Sequence, residues 1–156
     1  MSNEKIYFLT HDFISKLQAL DENTKPQWGV MNVQQMIEHM SDSVRIANHK
    51  FRIDQPVNPP EVVAKSYAFM MTDRPFRPNT KNSMMGEIPE PVKQPNKQAA
   101  IEELQNELDD FIKLFNDNPQ RIVLNPFFGE LNFDEWLHLL SKHAKHHLTQ
   151  FGVDAN

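Results

Sequence analysis

Four of the seven histidines lie within ten residues near the C-terminal end of the chain: His138, His143, His146 and His147. The surrounding sequence, EWLHLLSKHAKHHLTQFG, has helical periodicity, in which successive side chains are about 100° apart. His143 and His147 fall in the middle of its apolar stripe, one turn apart, and His146 flanks that stripe. His138 falls on the opposite face of the helix, where we expect it to be solvated.

Two imidazoles stacked on a buried stripe require partners. Each neutral ring carries one donor and one acceptor, and burying such a group unpaired costs about 1–3 kcal/mol. A divalent cation meets this requirement, because i,i+4 spacing lets one metal bind a nitrogen of each ring. The alternative is that each ring bonds a carbonyl or a polar side chain across the core. The residues alone leave both interpretations open.

A third histidine ligand would have to come from another helix. His39 is the only histidine in the interior of a different predicted helix, and it borders the apolar stripe of that helix instead of centring on it. His11 falls on the less apolar side of the first predicted helix, and His49 lies just beyond the end of the second. We therefore expect His11 and His49 at the surface.

Four segments of the chain show helical periodicity, and none shows sustained strand alternation. The first segment carries an apolar stripe of Ile6, Leu9, Phe13, Leu17 and Leu20. The second begins at Asn32, and Gln35 three residues later completes a capping box. The third spans about residues 97–116. The last spans about residues 132–151, with Gly152 as its stop.

These elements predict an all-α fold, a four-helix bundle that forms one domain over residues 1–156. A long proline-rich crossover joins its second and third helices, because eight of the eleven prolines fall between about residues 50 and 96. Only residues 61–71 have the pattern of a short helix there. Such a long connection carries function or wraps the body, or it is simply mobile. Residues 121–131, RIVLNPFFGEL, could form a short strand, but their Asn-Pro and Gly favour a loop with buried anchors, which we expect.

Composition restricts the partners of the protein. The net charge is −5, the sequence pI is about 5.8, and no run of Lys or Arg exceeds two residues. This disfavours nucleic acid and an anionic membrane surface. The absence of cysteine excludes disulfides, thiolate metal sites and a cysteine nucleophile. No signal-peptide pattern and no apolar run of about 20 residues is found, so we expect a cytoplasmic protein.

Two motifs make the chain resemble the DinB/YfiT-like superfamily of metal-binding four-helix bundles. They are WGVMNVQQMIEHM, residues 28–40, and FGELNFDEWLHLLSKHAKHHLTQFG, residues 128–152, which match the branch of that superfamily ending in a Gly…Trp…His…His-His…Gln-Phe-Gly helix. The resemblance implies a divalent metal held by three histidines, which are His39, His143 and His147. It places His146 at a non-ligating position, and it implies that Gln150 orients a ligand or a bound water. The choice of His39 rests mostly on this resemblance.

Three neutral nitrogen donors leave at least one coordination position open, as in catalytic rather than structural metal sites. Imidazole suits several transition metals, and we expect Zn, Ni or Fe. Some members of the superfamily are thiol transferases or thiol-dependent isomerases. The resemblance therefore implies a metal-dependent transferase that activates a low-molecular-weight thiol. Since the chain has no cysteine, that thiol would arrive as a small-molecule substrate.

Two other functions stay open. Hydrolysis by a metal-activated water needs a general base, but Ala144 follows His143 where a His-Glu-x-x-His motif has glutamate. Glu130, Asp134 or Glu38 could supply that base, although we expect Glu38 to point away from the core. The other alternative is a non-catalytic, metal-stabilised bundle that acts as a small-molecule-binding or stress-related module.

Two further expectations concern packing and assembly. Four methionines could line an adaptable pocket or serve in ordinary packing: Met70, Met71, Met84 and Met85. Many bundles of this type pair along their helices. We therefore expect a homodimer.

Overall fold

The computed structural model describes residues 2–78 and 89–156, and the N-terminal part of the chain is one continuous helical segment. Helices α1, Ser2–Tyr7, and α2, Phe13–Ala19, are joined by a π-helical stretch over Phe8–Asp12. The segment buries the apolar residues Leu9, Phe13, Ile14 and Leu17. The first predicted helix is thus confirmed, with one wider turn that the periodicity did not indicate.

Side-chain caps determine where two long helices begin. Helix α3, Val33–Ala47, starts after Asn32, whose side chain accepts from the Gln35 backbone N–H at 2.8 Å, while the Gln35 side chain accepts from the Asn32 N–H at 2.9 Å. Helix α6, Phe133–Gln150, starts after Asn132 with a second capping box. Each box satisfies two N–H groups that the first turn leaves unpaired. These predicted starts are confirmed.

The third predicted helix is α5, Lys97–Asp117, and it packs extensively against α3. Helix α6 contacts both α1 and α3, and α2 contacts α5. The apolar stripes of α2, α3, α5 and α6 meet in one buried cluster, and each of these four helices contributes a large side chain that is at most 1% exposed: Phe13, Met36, Ile101 and Trp136. The fold of the described residues is therefore mostly helical, as predicted, and the contact between α3 and α6 brings distant histidines together.

A two-stranded hairpin precedes α6, so our expectation of a loop over residues 121–131 is wrong. Strand β1, Val123–Asn125, pairs antiparallel with β2, Gly129–Leu131. The Asn125 side chain accepts from two backbone N–H groups in the turn, and Gly129 has φ +86°, a conformation that favours glycine. Three-residue strands are too short to produce a recognisable alternation of polar and apolar residues.

The proline-rich crossover contains helix α4, Pro60–Met70, which confirms the predicted short helix. The C-terminal end of α4 is held by Lys142, whose amine donates to the carbonyls of Phe69, Met70 and Thr72 at 3.0–3.2 Å. The Lys142 side chain is largely buried, and burial lowers the pKa of its amine. Sequence reasoning did not identify this residue, because its partners are about 70 positions away.

The segment that follows residue 88 is held by Glu38, which we wrongly expected to point away from the core. Glu38 is only 8% exposed, and its carboxylate accepts from the backbone N–H groups of Lys93 and Gln94 at 2.7 and 3.3 Å. The periodicity of α3 could not reveal this burial, because it is created by a segment that lies across the helix. The crossover is thus bonded to α3 at Lys93 and Gln94.

Only two of the four methionines considered for a pocket lie in the described residues. Met70 is fully buried in the core cluster and Met71 is partly exposed, while Met84 and Met85 lie outside the described residues. Across residues 2–78 and 89–156, no helix is both long and apolar enough to cross a membrane.

Candidate metal centre

The packing of α3 against α6 brings three imidazoles to one point. The Nε2 atom of His143 lies 2.8 Å from that of His147 and 3.1 Å from that of His39. A donor atom from each of the three rings lies within 4.8 Å of the other two. His147 is buried, whereas His39 and His143 are half-buried, so solvent can reach part of the cluster. We call these three residues the histidine triad.

The triad has the composition and spacing of a group that could hold a divalent metal ion. Metal–nitrogen bonds of about 2.0–2.1 Å at tetrahedral angles hold two ligand nitrogens about 3.3 Å apart. The observed separations of 2.8 and 3.1 Å are shorter than this value and lie within the range of hydrogen bonds between ring nitrogens, so the rings would have to move slightly apart around a metal. Each hydrogen bond between two rings pairs one N–H group with one lone pair. Hydrogen bonds among the rings alone therefore cannot pair all three converging nitrogens. A cation at their centre would use all three lone pairs.

Gln150 sets the orientation of the His147 ring. Its amide nitrogen donates to the Trp28 carbonyl at 3.0 Å, which turns its Oε1 towards His147 Nδ1 at 2.8 Å. The oxygen can only accept, so Nδ1 carries the proton and Nε2 presents its lone pair to the triad. This contact has the geometry expected of a residue that orients a metal ligand. The part played by Trp28 was missed, since only tertiary contact brings its carbonyl to the end of α6.

The triad is neutral near pH 7. Burial lowers the pKa of His39 to about 4, and the opposing attraction of Asp42 is smaller. Burial, reinforced by the neighbouring His39 ring, lowers the pKa of His147 to about 3. Burial and the two other triad rings also hold the pKa of His143 well below its usual value. Neutral imidazoles are the form that binds metals, so these shifts prepare the triad for a cation.

His146 flanks the triad without joining it. Its half-buried ring lies 5.2 Å from the His147 ring, 5.4 Å from the Trp28 ring and 6.2 Å from the Phe76 ring, measured between ring centres. Burial lowers the pKa of His146, and a hydrogen bond to the Phe76 backbone partly opposes that effect. These neighbouring rings agree with the predicted position of His146 beside the apolar stripe.

The other histidines lie outside the triad. His11 and His49 are exposed, as predicted. His138 is half-buried, so the prediction of a solvated side chain is wrong. Its ring nitrogens lie 2.8 Å from the Met70 carbonyl and 3.0 Å from the Lys5 amine. The helical position of His138 was correct, but the end of α4 covers that face of α6.

The three carboxylates considered as general bases are not part of the triad among the described residues. Glu38 is occupied by the backbone of the crossover. Asp134 accepts from the Ser2 hydroxyl at 2.8 Å and lies nine residues before His143, about 13 Å along the helix. Glu130 lines a separate cavity of about 580 Å³ beside α4. None of these three carboxylates is therefore placed to act as a general base at the triad.

Comparison with known proteins finds one matching family. The family model of the DinB superfamily matches residues 8–151, which is nearly the whole chain. No curated protein and no solved structure gives a significant match.

Proposed function

Because the chain belongs to the DinB superfamily, we propose that it binds one divalent metal ion through His39, His143 and His147. The observation that carries this proposal is the convergence of three Nε2 atoms, with separations of 2.8 and 3.1 Å, from helices that are far apart in sequence. Neutral nitrogen donors of this kind suit Zn, Ni or Fe.

We further propose that α1 with α2, α3, α5 and α6 form a four-helix bundle and a single domain. The contacts of α6 with α1 and α3, and of α5 with α2 and α3, support this arrangement. A cytoplasmic homodimer is also part of the proposal. Light scattering of the purified protein would test the dimer, and a mass of one chain at micromolar concentration would contradict it.

The activity we propose is transfer of a low-molecular-weight thiol to an electrophile. A bound divalent cation supplies the Lewis acidity that lowers the pKa of a coordinated thiol. In the overall substitution, the thiol loses its proton, its sulfur bonds the electrophilic carbon, and the leaving group departs with its electron pair. The chain itself has no cysteine, so the nucleophilic sulfur comes with the substrate.

The residues around the triad support this activity in two ways. Gln150 holds His147 in the tautomer whose Nε2 lone pair faces the triad. The half-buried surfaces of His39 and His143 allow a small molecule to approach. Hydrolysis receives less support, because Glu38 and Asp134 are already hydrogen-bonded elsewhere.

A non-catalytic role is the second candidate, and one observation favours it. The triad joins α3 to α6, and a metal there would cross-link two helices whose ligands are about 100 positions apart. Metal binding would then contribute directly to folding. Such metal-stabilised folding would be sufficient for a small-molecule-binding or stress-related module. A large thermal shift on metal addition without any turnover would favour it.

Elemental analysis after metal loading and desalting tests the metal site. We expect about one divalent ion per chain in the wild type, and its loss in His39→Ala, His143→Ala and His147→Ala. His11→Ala is the matched control, because His11 is exposed and lies outside the triad. Absence of bound metal in the loaded wild type would refute the three-histidine site.

Adduct formation tests the transferase activity. Metal-loaded protein is incubated with glutathione and 1-chloro-2,4-dinitrobenzene, and the coloured thioether is followed by absorbance. We expect the wild type to form the adduct faster than His147→Ala. Equal rates would contradict transfer with this thiol and acceptor, while the elemental analysis would still decide the metal site separately.

A further inference from the structure

Beside the triad lies a group of half-buried aromatic rings that the metal site does not use. We call Trp28, Phe76 and His146 the aromatic wall. The His146 ring lies between the other two, with ring centres 5.4 Å from Trp28 and 6.2 Å from Phe76. The same ring lies 5.2 Å from His147, so the wall begins directly at the triad.

The wall differs from the aromatic residues that fill the core. The core rings of Phe13, Phe111 and Trp136 are at most 1% exposed. The three wall residues are each half-buried and present part of their surface to solvent. Large aromatic side chains that remain partly exposed beside a set of ligand-binding groups offer their free surface to a ligand.

The rings of the wall are held in place by contacts outside it. The Trp28 carbonyl accepts from Gln150, which ties its loop to the end of α6. The Phe76 ring stacks at 6.2 Å on Phe128, and the Lys142 amine lies 4.9 Å from its centre. A binding surface that is already ordered loses less conformational freedom when a ligand binds.

We propose that the aromatic wall binds the planar apolar part of a small molecule whose donor atom reaches the metal position of the triad. This inference rests on the proposed function, because it assigns the substrate class of the same site. It predicts an aromatic or conjugated compound carrying a nitrogen, oxygen or sulfur donor, in preference to a small polar one. Offset stacking and edge-to-face contact with the three rings would provide the preference.

Two azoles test the wall directly. Imidazole and 4-phenylimidazole carry the same donor nitrogen, and only the second has a planar apolar substituent. Each is titrated into the full chain loaded with Co²⁺, and the visible absorption of the cobalt reports ligand binding. We expect the wild type to bind 4-phenylimidazole at least about tenfold more tightly than imidazole, which corresponds to about 1.4 kcal/mol.

Two variants remove rings from the wall, and a third serves as the control. Phe76→Leu and Trp28→Leu should each reduce the preference, measured as the ratio of the two dissociation constants in the same variant, to about threefold or less. Phe51→Leu removes a similar ring that is 43% exposed and lies after the end of α3, so it should keep the full preference. The Co²⁺ content of each variant shows whether its site is still formed.

The outcomes separate this inference from the proposed function. If the wild type takes up no Co²⁺, the proposed metal site fails. If Co²⁺ binds but both azoles bind equally well, or if the preference persists in both ring variants, the aromatic wall is refuted and the metal site stands. Tryptophan fluorescence gives a second measurement, because 4-phenylimidazole should quench the emission of half-buried Trp28, and this quenching should be lost in Trp28→Leu.

Discussion

The hydrogen bond between Gln150 and His147 leads to a prediction about metal affinity. In Gln150→Leu, the His147 ring loses the acceptor that lies 2.8 Å from its Nδ1, so neither its tautomer nor its orientation is held. Loss of a residue that orients a ligand lowers metal affinity about 10–100-fold. We expect a decrease of this size, measured by competition with a chromophoric chelator at pH 7.5.

The same substitution should also destabilise the metal-free protein. Gln150 is only 4% exposed, and a buried His147 N–H left without an acceptor costs about 1–3 kcal/mol. The Trp28 carbonyl loses its donor too, but Trp28 is half-buried and water can replace the amide there. Urea unfolding of the metal-free variant should therefore show a loss of about 1–3 kcal/mol.

Gln150→Glu is the matched variant that separates the two effects. Its carboxylate can still accept from His147, but it cannot donate to the Trp28 carbonyl. We expect metal affinity within about tenfold of the wild type, above that of Gln150→Leu, together with reduced stability. Wild-type metal affinity in Gln150→Leu, or an equal loss of affinity in both variants, would refute the orienting role of Gln150.

Three further predictions concern the surroundings of the triad. Gly29→Ala should lower both stability and metal affinity. Gly29 has φ +77°, and an added Cβ would lie 3.0 Å from the Gln150 amide nitrogen. We expect the free energy of unfolding in urea to fall by about 1–2 kcal/mol. The metal-free protein should lose stability as the pH falls below 6.5. His39 and His147 then become protonated in the unfolded chain, whereas burial keeps their pKa values in the native protein at about 4 and 3. Thermal unfolding between pH 7.5 and 4.5 measures the loss of stability. Lys142→Met should destabilise the protein by about 1–3 kcal/mol in urea unfolding, because it removes the three hydrogen bonds that the buried amine donates to the carbonyls at the end of α4.

Each of these predictions has an outcome that would contradict it. Unchanged metal affinity in Gly29→Ala would show that the loop does not control Gln150. Thermal stability that is constant from pH 7.5 to 4.5, or that rises on acidification, would contradict the neutral state of the triad. Wild-type urea stability in Lys142→Met would mean that the end of α4 contributes nothing to the global fold. Lys25→Met, which alters an exposed lysine, is the control for the last substitution.

Local patterns in the sequence determined the helices and two of the three triad residues. A capping box involves residues three positions apart, so Asn32 with Gln35 could be recognised without any tertiary information. The same holds for His143 and His147, because their placement on one face depends only on the period of the helix. Membership of the DinB superfamily followed from the two histidine-containing motifs.

Tertiary packing decided the features that depend on distant segments. His39 borders its apolar stripe, and only the contact between α3 and α6 brings its Nε2 to 3.1 Å from His143. Glu38 and His138 were misjudged because parts of the crossover cover them, and a helical wheel contains no information about another segment. Periodicity therefore tells which face of a helix a residue occupies, whereas the partner on that face is determined by how the whole chain packs.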